Sequence, residues 1–308
     1  MTKRRLGRSD LMIDPLVLGT NVIGGTIDEP TSFAVLDAFV DEGFTAIDTA
    51  DIYTKTNSER IIGNWVKARG NRDKVLIFTK IGAANDAGQR DNSAKWIAEG
   101  VENSLRRLQT DYIDLYQTHF PDGHTPQEET LGAYDKLVKA GKVRVIGASN
   151  FDTTLLREAL DVSASKGLPR YETLQNEYNL YDRTKFEEVQ DLCVMEQVSG
   201  IHYFSLARGF VTGKYRSRED ASKSPRGPAV VDKYLNDKGY RLLAALDAVS
   251  KRTGATQGEI ALAWLNAQPG TAAPIASATS VDQVKELARG ARLTLSDADV
   301  KELTEAGR

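Results

Sequence analysis

Two hydrophobic periods alternate along the chain. Short runs of β-branched and aliphatic residues occur at PLVLGT (15–20), FTAIDTA (44–50), KVLIFTK (74–80), YIDLYQTH (112–119), KVRVIGASN (142–150), ETLQNEY (172–178), GIHYFSLA (200–207) and AAPIAS (272–277). Between several of them, apolar positions follow the period of an amphipathic helix, as in SERIIGNWVKARG, AKWIAEGVENSLRRL, GAYDKLVKAG and TKFEEVQDLCVMEQV. Gly70, Gly141 and Gly167, each with lysine or arginine nearby, supply helix stop signals.

Strands alternating with helices predict right-handed βαβ units and a parallel sheet. Eight strands are the number that closes a barrel. No glycine fingerprint follows the first run, which argues against an open doubly wound sheet. The expected architecture is an α/β fold: a (β/α)8 TIM barrel filling residues 1–308 as one domain. KRRLGRSDLMIDPL predicts an N-terminal β-hairpin, with Ser9 and Asp10 in its turn, plugging the end of the barrel opposite the site. After the seventh run a long insertion opens with GFVTGKYRSREDASKSPRGPAVVDKYL, polar and containing Gly and Pro. An insertion after a barrel strand falls on the catalytic face, so it is expected to act as a lid.

Composition narrows the function. Lys plus Arg number 40 against 43 Asp plus Glu, a formal charge of −3 that offers no footprint for nucleic acid or a membrane surface. The single cysteine, Cys193, rules out an internal disulfide or a multi-cysteine metal centre, and its helical context EVQDLCVMEQV points to core packing. MTKRRLGRSD lacks the apolar stretch of a secretory signal. No apolar run is long enough to span a bilayer. A cytoplasmic monomer or weak homo-oligomer is expected, with neither nucleic acid nor membrane as partner.

Candidate chemistry gathers where strands stop. Asp48 ends the second run, Lys80 the third and His119 the fourth, while Tyr53 follows Asp48 on the loop above. Alone, His119 reads more readily as a hydrogen-bonded structural histidine. Its neighbours change that, because catalytic groups in a barrel come from the C-terminal ends of several strands. A lysine at the barrel mouth needs a carboxylate partner, and Asp48 can supply one. A cation beside a tyrosine lowers a pKa that is ordinarily about 10, so Tyr53 becomes a candidate general acid. His119 could polarise a carbonyl oxygen by hydrogen bonding.

The set Asp48, Tyr53, Lys80 and His119, in the contexts AIDTADIY, IFTK and YQTH, resembles the catalytic tetrad of the aldo-keto reductases. The resemblance runs along nearly the whole chain. LGRSDLMIDPLVLGT is similar to the family's N-terminal hairpin and first strand, which would place Gly19, Thr20 and Asn21 beside a cofactor. VIGASNF and LQNEYNLYDR would supply nicotinamide-carboxamide ligands in Ser149, Asn150 and Gln175. YFSLARGFVTGKYR is similar to a cofactor loop in which Phe204 would stack on the nicotinamide ring. In it, Ser205, Leu206, Ala207, Gly209 and Lys214 would line the pyrophosphate. IASATSVDQVKEL resembles the adenosine-phosphate segment, with Ser277, Thr279, Gln283 and Glu286 at ligand positions.

That resemblance implies hydride transfer between NADPH/NADP and a small carbonyl substrate, with NADH the less favoured cofactor and no metal. Tyr53 would be the acid, Lys80 paired with Asp48 would tune it, and His119 would orient the carbonyl. Substrate would meet Val22, Ile23, Tyr53, Thr54, His119 and Phe120. Several positions depart from the pattern. Gln283 stands where many members carry an arginine, Asn21 replaces a usual aromatic, Arg208 a small residue and His202 an apolar one. The lid arginines Arg216, Arg218 and Arg226 could meet phosphates as mobile cations. A different class of function, a nicotinamide-binding regulatory subunit that senses redox state with slow turnover, carries the same tetrad in the potassium-channel beta subunits.

Overall fold

Strands β1 (Arg4–Arg5) and β2 (Met12–Ile13) pair antiparallel in the computed structural model, which describes residues 2–308. Their turn is closed by Leu6 N donating to Leu11 O at 2.9 Å, with the Ser9 hydroxyl donating to Leu6 O at 2.6 Å. Eight further strands follow: β3 (Val17–Gly19), β4 (Ala46–Asp48), β5 (Leu76–Ile81), β6 (Ile113–Thr118), β7 (Val143–Ser149), β8 (Tyr171–Gln175), β9 (Ser199–His202) and β10 (Thr271–Ala276). They are parallel, in the order of the chain, and β10 closes back on β3. Each apolar run of the sequence therefore forms one stave of a TIM barrel.

Eleven α-helices occur among the described residues: α1 (Glu29–Asp41), α2 (Asn57–Arg69), α3 (Ala94–Leu108), α4 (Gln127–Lys139), α5 (Thr153–Lys166), α6 (Thr184–Glu196), α7 (Gly227–Tyr234), α8 (Asp237–Thr253), α9 (Gln257–Asn266), α10 (Val281–Arg292) and α11 (Asp297–Ala306). Local chemistry sets several ends. Side chains of Asp28, Ser93 and Asp152 accept from the first-turn amides of α1, α3 and α5. Gly70 and Gly167 end α2 and α5 in the left-handed conformation, at φ 57° and 64°. None of these helices is long and apolar enough to cross a membrane.

Two apolar layers result. Inside the barrel, Val17, Ala46, Phe78, Leu115, Val145, Ile201 and Ala273 pack with Leu6, Leu11 and Ile13 of the hairpin, which plugs that end as expected. Outside, a larger layer lies between strands and helices, with Trp65, Tyr134, Tyr171 and Trp264 among its buried side chains.

The insertion after β9 is better anchored than its polar composition suggested. Phe210, Val211, Tyr215, Val230, Val231 and Tyr234 are all buried, and the Phe210 ring stacks on Tyr234 at 5.1 Å. Arg216 binds Asp247 of α8 with both nitrogens at 2.8 Å, and Arg218 lies 3.7 Å from Asp232. Arg216 is therefore not the mobile cation the sequence suggested, while Arg218 is exposed and off the cavity wall. Only Arg226 of the three lines the cavity at the barrel mouth.

Candidate active site

Barrel geometry brings the four strand-end groups together. Asp48 is the last residue of β4, Lys80 the penultimate residue of β5, and His119 follows β6. Lys80 is fully buried, and its Nζ donates to Asp48 Oδ2 at 2.7 Å, to Thr49 O at 2.7 Å and to the Tyr53 hydroxyl at 3.2 Å. All three ammonium hydrogens are thus directed. Burial alone would push the Lys80 pKa down, but the charges and hydrogen bonds of Asp48 and Tyr53 outweigh it and raise it. Lys80 is a permanent cation beneath the phenol.

Tyr53 titrates in the opposite sense from the sequence reading. Burial raises its pKa above 10.0, and Lys80 opposes that shift without overcoming it, while the negative charges of Asp48 and Asp51 add to it. Tyr53 is consequently a phenol throughout the neutral range, as a proton donor must be. His119 is displaced the other way: burial, then the nearby cations of Lys80 and Arg90, hold its pKa well below 6.5, so the imidazole is neutral. Its ring meets the Tyr53 ring edge-on at 5.9 Å and stacks on Phe120 at 4.8 Å.

An amide cluster adjoins this group. Gln175 Nε2 donates to Asp48 Oδ1 at 3.0 Å, and Gln117 Nε2 approaches the same oxygen at 3.3 Å. The Ser149 hydroxyl donates to Gln175 O at 2.7 Å, and Asn150 Nδ2 donates to His119 O at 3.1 Å. Tyr203 completes the wall by donating its hydroxyl to Asn150 Oδ1 at 2.8 Å. Asn150, Phe204, Ala207 and Arg208 hold positive φ values of 61°, 52°, 47° and 57°. Non-glycine residues adopt that conformation at a cost of roughly 1–2 kcal/mol each, so tertiary packing over-determines this wall.

One cavity of about 750 Å³ collects most of the residues singled out in the sequence: Gly19, Thr20, Asn21, Asp48, Tyr53, His119, Phe120, Ser149, Asn150, Gln175, Phe204, Ser205, Leu206, Gly209, Lys214, Ser277, Gln283 and Glu286. The rest lie off its wall. Lys80 is buried beneath Tyr53, and Ala207 is fully buried. Thr279 N and Oγ1 donate to Gln283 Oε1 at 2.7 and 3.1 Å. Val22 and Ile23 are buried in the core, and the Thr54 hydroxyl donates to Ile23 O at 2.8 Å. Near Tyr53 the cavity is bounded by His119 and Phe120, and Asn21 lines it with its Oδ1 accepting from the Ser277 hydroxyl at 2.8 Å.

The same wall includes Tyr203, which the sequence reading passed over for its neighbour Phe204. The adjacent aromatic pair was the available signal, but choosing between the two needs the backbone. Arg208, Lys214 and Arg226 also line the cavity, and none forms an ion pair among the described residues. The Arg208 guanidinium lies 4.4 Å from the Phe204 ring centroid. Three cations without carboxylate partners around one cavity suit a polyanionic ligand such as a diphosphate. His202, by contrast, is a packing residue. It is fully buried against Phe186 at 4.2 Å and Tyr178 at 5.0 Å, bonds Thr271 Oγ1 at 3.0 Å, and burial drives its pKa down to about 3.

Comparison with known proteins gives the family. Residues 15–308 match the model of the Aldo/keto reductase family. The chain is 36% identical to Aldo-keto reductase YhdN of Bacillus subtilis, covering 93% of this chain and 87% of that protein. It is 31% identical to Protein tas of Escherichia coli (98% and 96%) and 32% identical to Aldo-keto reductase yakc [NADP(+)] of Schizosaccharomyces pombe (94% and 86%). A barrel whose mouth holds buried Lys80 between Asp48 and Tyr53, with a family match over almost its full length, leads to one conclusion: the chain belongs to the aldo/keto reductase family, a family of oxidoreductases.

Proposed function

We propose that this protein is an NADPH-dependent carbonyl reductase, converting an aldehyde or ketone to the alcohol with Tyr53 as general acid. The observation that carries the reading is the Lys80 ammonium, tied to Asp48 and 3.2 Å from the hydroxyl of Tyr53, which lines a cavity whose wall also carries three cations without ion-pair partners. The cavity's chemistry fits a nicotinamide dinucleotide. Arg208, Lys214 and Arg226 would neutralise phosphates, while Ser149, Asn150 and Gln175 offer hydroxyl and amide partners for a carboxamide. A bound reduced nicotinamide supplies the hydride.

The remaining work falls to the chain. Tyr53, kept protonated by burial, donates its hydroxyl proton to the carbonyl oxygen. Lys80 offsets the phenolate charge that develops, and Asp48 keeps the fully buried Lys80 charged. Neutral His119 orients the carbonyl oxygen, and Asn21 and Phe120 border the substrate. Tyr203 and Phe204 form the aromatic wall of the nicotinamide seat.

NADPH is favoured over NADH by the setting of Gln283. Its Oε1 takes both donors of Thr279, which leaves Nε2 to donate to a 2′-phosphate. The fission-yeast relative, by its name, uses NADP(+).

The test is loss of nicotinamide absorbance with NADPH or NADH and a panel of small aldehydes, ketones and sugars. Turnover that falls by about a hundredfold or more in Tyr53→Phe, the range of general acid catalysis, is the expected result. Tight NADPH binding without turnover on any carbonyl would favour the redox-sensing subunit instead.

A further inference from the structure

We infer that Gln117 is a positioning residue of this site, coupling the nicotinamide seat to the Lys80–Tyr53 pair by fixing Asp48 and Gln175 together. The inference rests on the NADPH-binding reading above. Gln117 is fully buried inside the barrel and is not on the cavity wall, so it would touch neither cofactor nor substrate. It sits on β6 in register with Lys80 of β5 and Gly147 of β7.

The place is built for this side chain. A Cβ on Gly147 would come within 3.2 Å of Gln117 Cγ and 2.1 Å of Thr173 Oγ1, so a larger residue there would crowd the amide. One interior layer below, the same strands carry Phe78, Leu115 and Val145 against the hairpin plug. An apolar residue at 117 would continue that packing, whereas a buried amide costs stability unless both its ends are bonded. Both ends are bonded. Nε2 donates to Asp48 Oδ1 at 3.3 Å, and Oε1 accepts from Gln175 Nε2 at 3.2 Å.

The orientation follows from chemistry. An ionised carboxylate only accepts, so both amide nitrogens must face Asp48. Gln175 Nε2 is then committed to Asp48 Oδ1 and Gln117 Oε1, and Gln175 Oε1 is the acceptor left over on a residue that lines the cavity. A carboxamide bonded there would polarise the amide of Gln175 and strengthen its donation to Asp48. Asp48 would in turn lean less on Lys80, whose cation would act more fully on Tyr53. Replacing Gln117 by leucine removes one donor from Asp48 and releases Gln175, so both ends of this chain weaken together.

The experiment compares wild type with Gln117→Leu in binding titrations with NADP+ and with adenosine 2′,5′-bisphosphate, which lacks the nicotinamide. NADP+ is expected to bind about tenfold more weakly, a change of about 1.4 kcal/mol, with affinity for the bisphosphate unchanged. The alkaline limb of the NADPH-dependent reduction should move up by about half a pH unit, since Asp48 then damps Lys80 more strongly. Equal weakening of both ligands, or an unmoved limb, would overturn the inference. Should the variant fail to fold, selective 15N-glutamine labelling of wild type serves instead. The Gln117 side-chain amide should shift with NADP+ and not with the bisphosphate, and no shift would overturn the inference equally. Absence of NADP+ binding by wild type would remove the cofactor reading first, and this inference with it.

Discussion

The Lys80 ammonium lies 2.7 Å from Asp48 Oδ2, with side-chain exposures of 0% and 3% for the pair. Removing one member of such a buried pair strands the other charge, at roughly 3–5 kcal/mol. Lys80→Met should therefore lower stability by about that amount and abolish turnover. Lys80→Met with Asp48→Asn should recover much of the stability and none of the activity. Urea unfolding beside an NADPH-oxidation assay separates the two effects. A double variant as unstable as the single one would show that the stranded charge is not the cause.

Tyr53 and His119 set the pH profile of reduction. Burial holds Tyr53 protonated beyond its ordinary range and keeps His119 neutral. Reduction should accordingly stay level across about pH 5–8, the window in which an ordinary histidine would titrate. His119→Asn should lower the rate without introducing or removing an inflection there. An acid limb near pH 6.5 that vanishes in the variant would contradict the neutral assignment.

Asp51 predicts a slope in stability. Its carboxyl is pushed up from 3.8 to about 7, by burial first and then by the charge of Glu59, with Arg107 opposing, and its Oδ1 is buried without a partner. The folded protein thus holds a proton that the unfolded chain releases, so stability falls as pH rises from about 4 to about 7 and levels off above. Between about pH 5 and pH 8 the loss should be on the order of 2–3 kcal/mol. Asp51→Asn should flatten that slope in urea melts, and parallel slopes would refute the assignment.

Cations around the cavity should separate by partner. Lys214→Met and Arg226→Ala each remove an unpaired cation from the wall, so NADPH affinity should fall by about tenfold apiece and depend less on salt. Arg216 is off the wall, bonded to Asp247 and to Gly213 O, so with Arg216→Ala affinity should change little. Equal losses at Arg216 and Lys214 would indicate that the lid acts through general charge rather than through groups on the wall.

Much of this protein is legible from residue order. Short apolar runs alternating with helical patterning point to a parallel α/β fold, and eight such runs to a barrel, which buries one face of each strand in its interior and the other under the helices. Asp48, Lys80 and His119 are legible for a related reason. They end strands, and a closed parallel barrel brings strand ends to one mouth. Only tertiary structure decided the rest. Val22 and Ile23 turn into the core, and Arg216 is claimed by Asp247, a partner 31 residues away. The Tyr203 hydroxyl reaches Asn150 across a wall that runs through left-handed residues, whose side-chain directions no periodicity predicts. The direction of the Tyr53 shift likewise depends on how completely the fold removes water, which opposes the charge of Lys80 and outweighs it. Strand order follows from local patterning, but burial and electrostatic balance are sums over neighbours that the chain assembles only on folding.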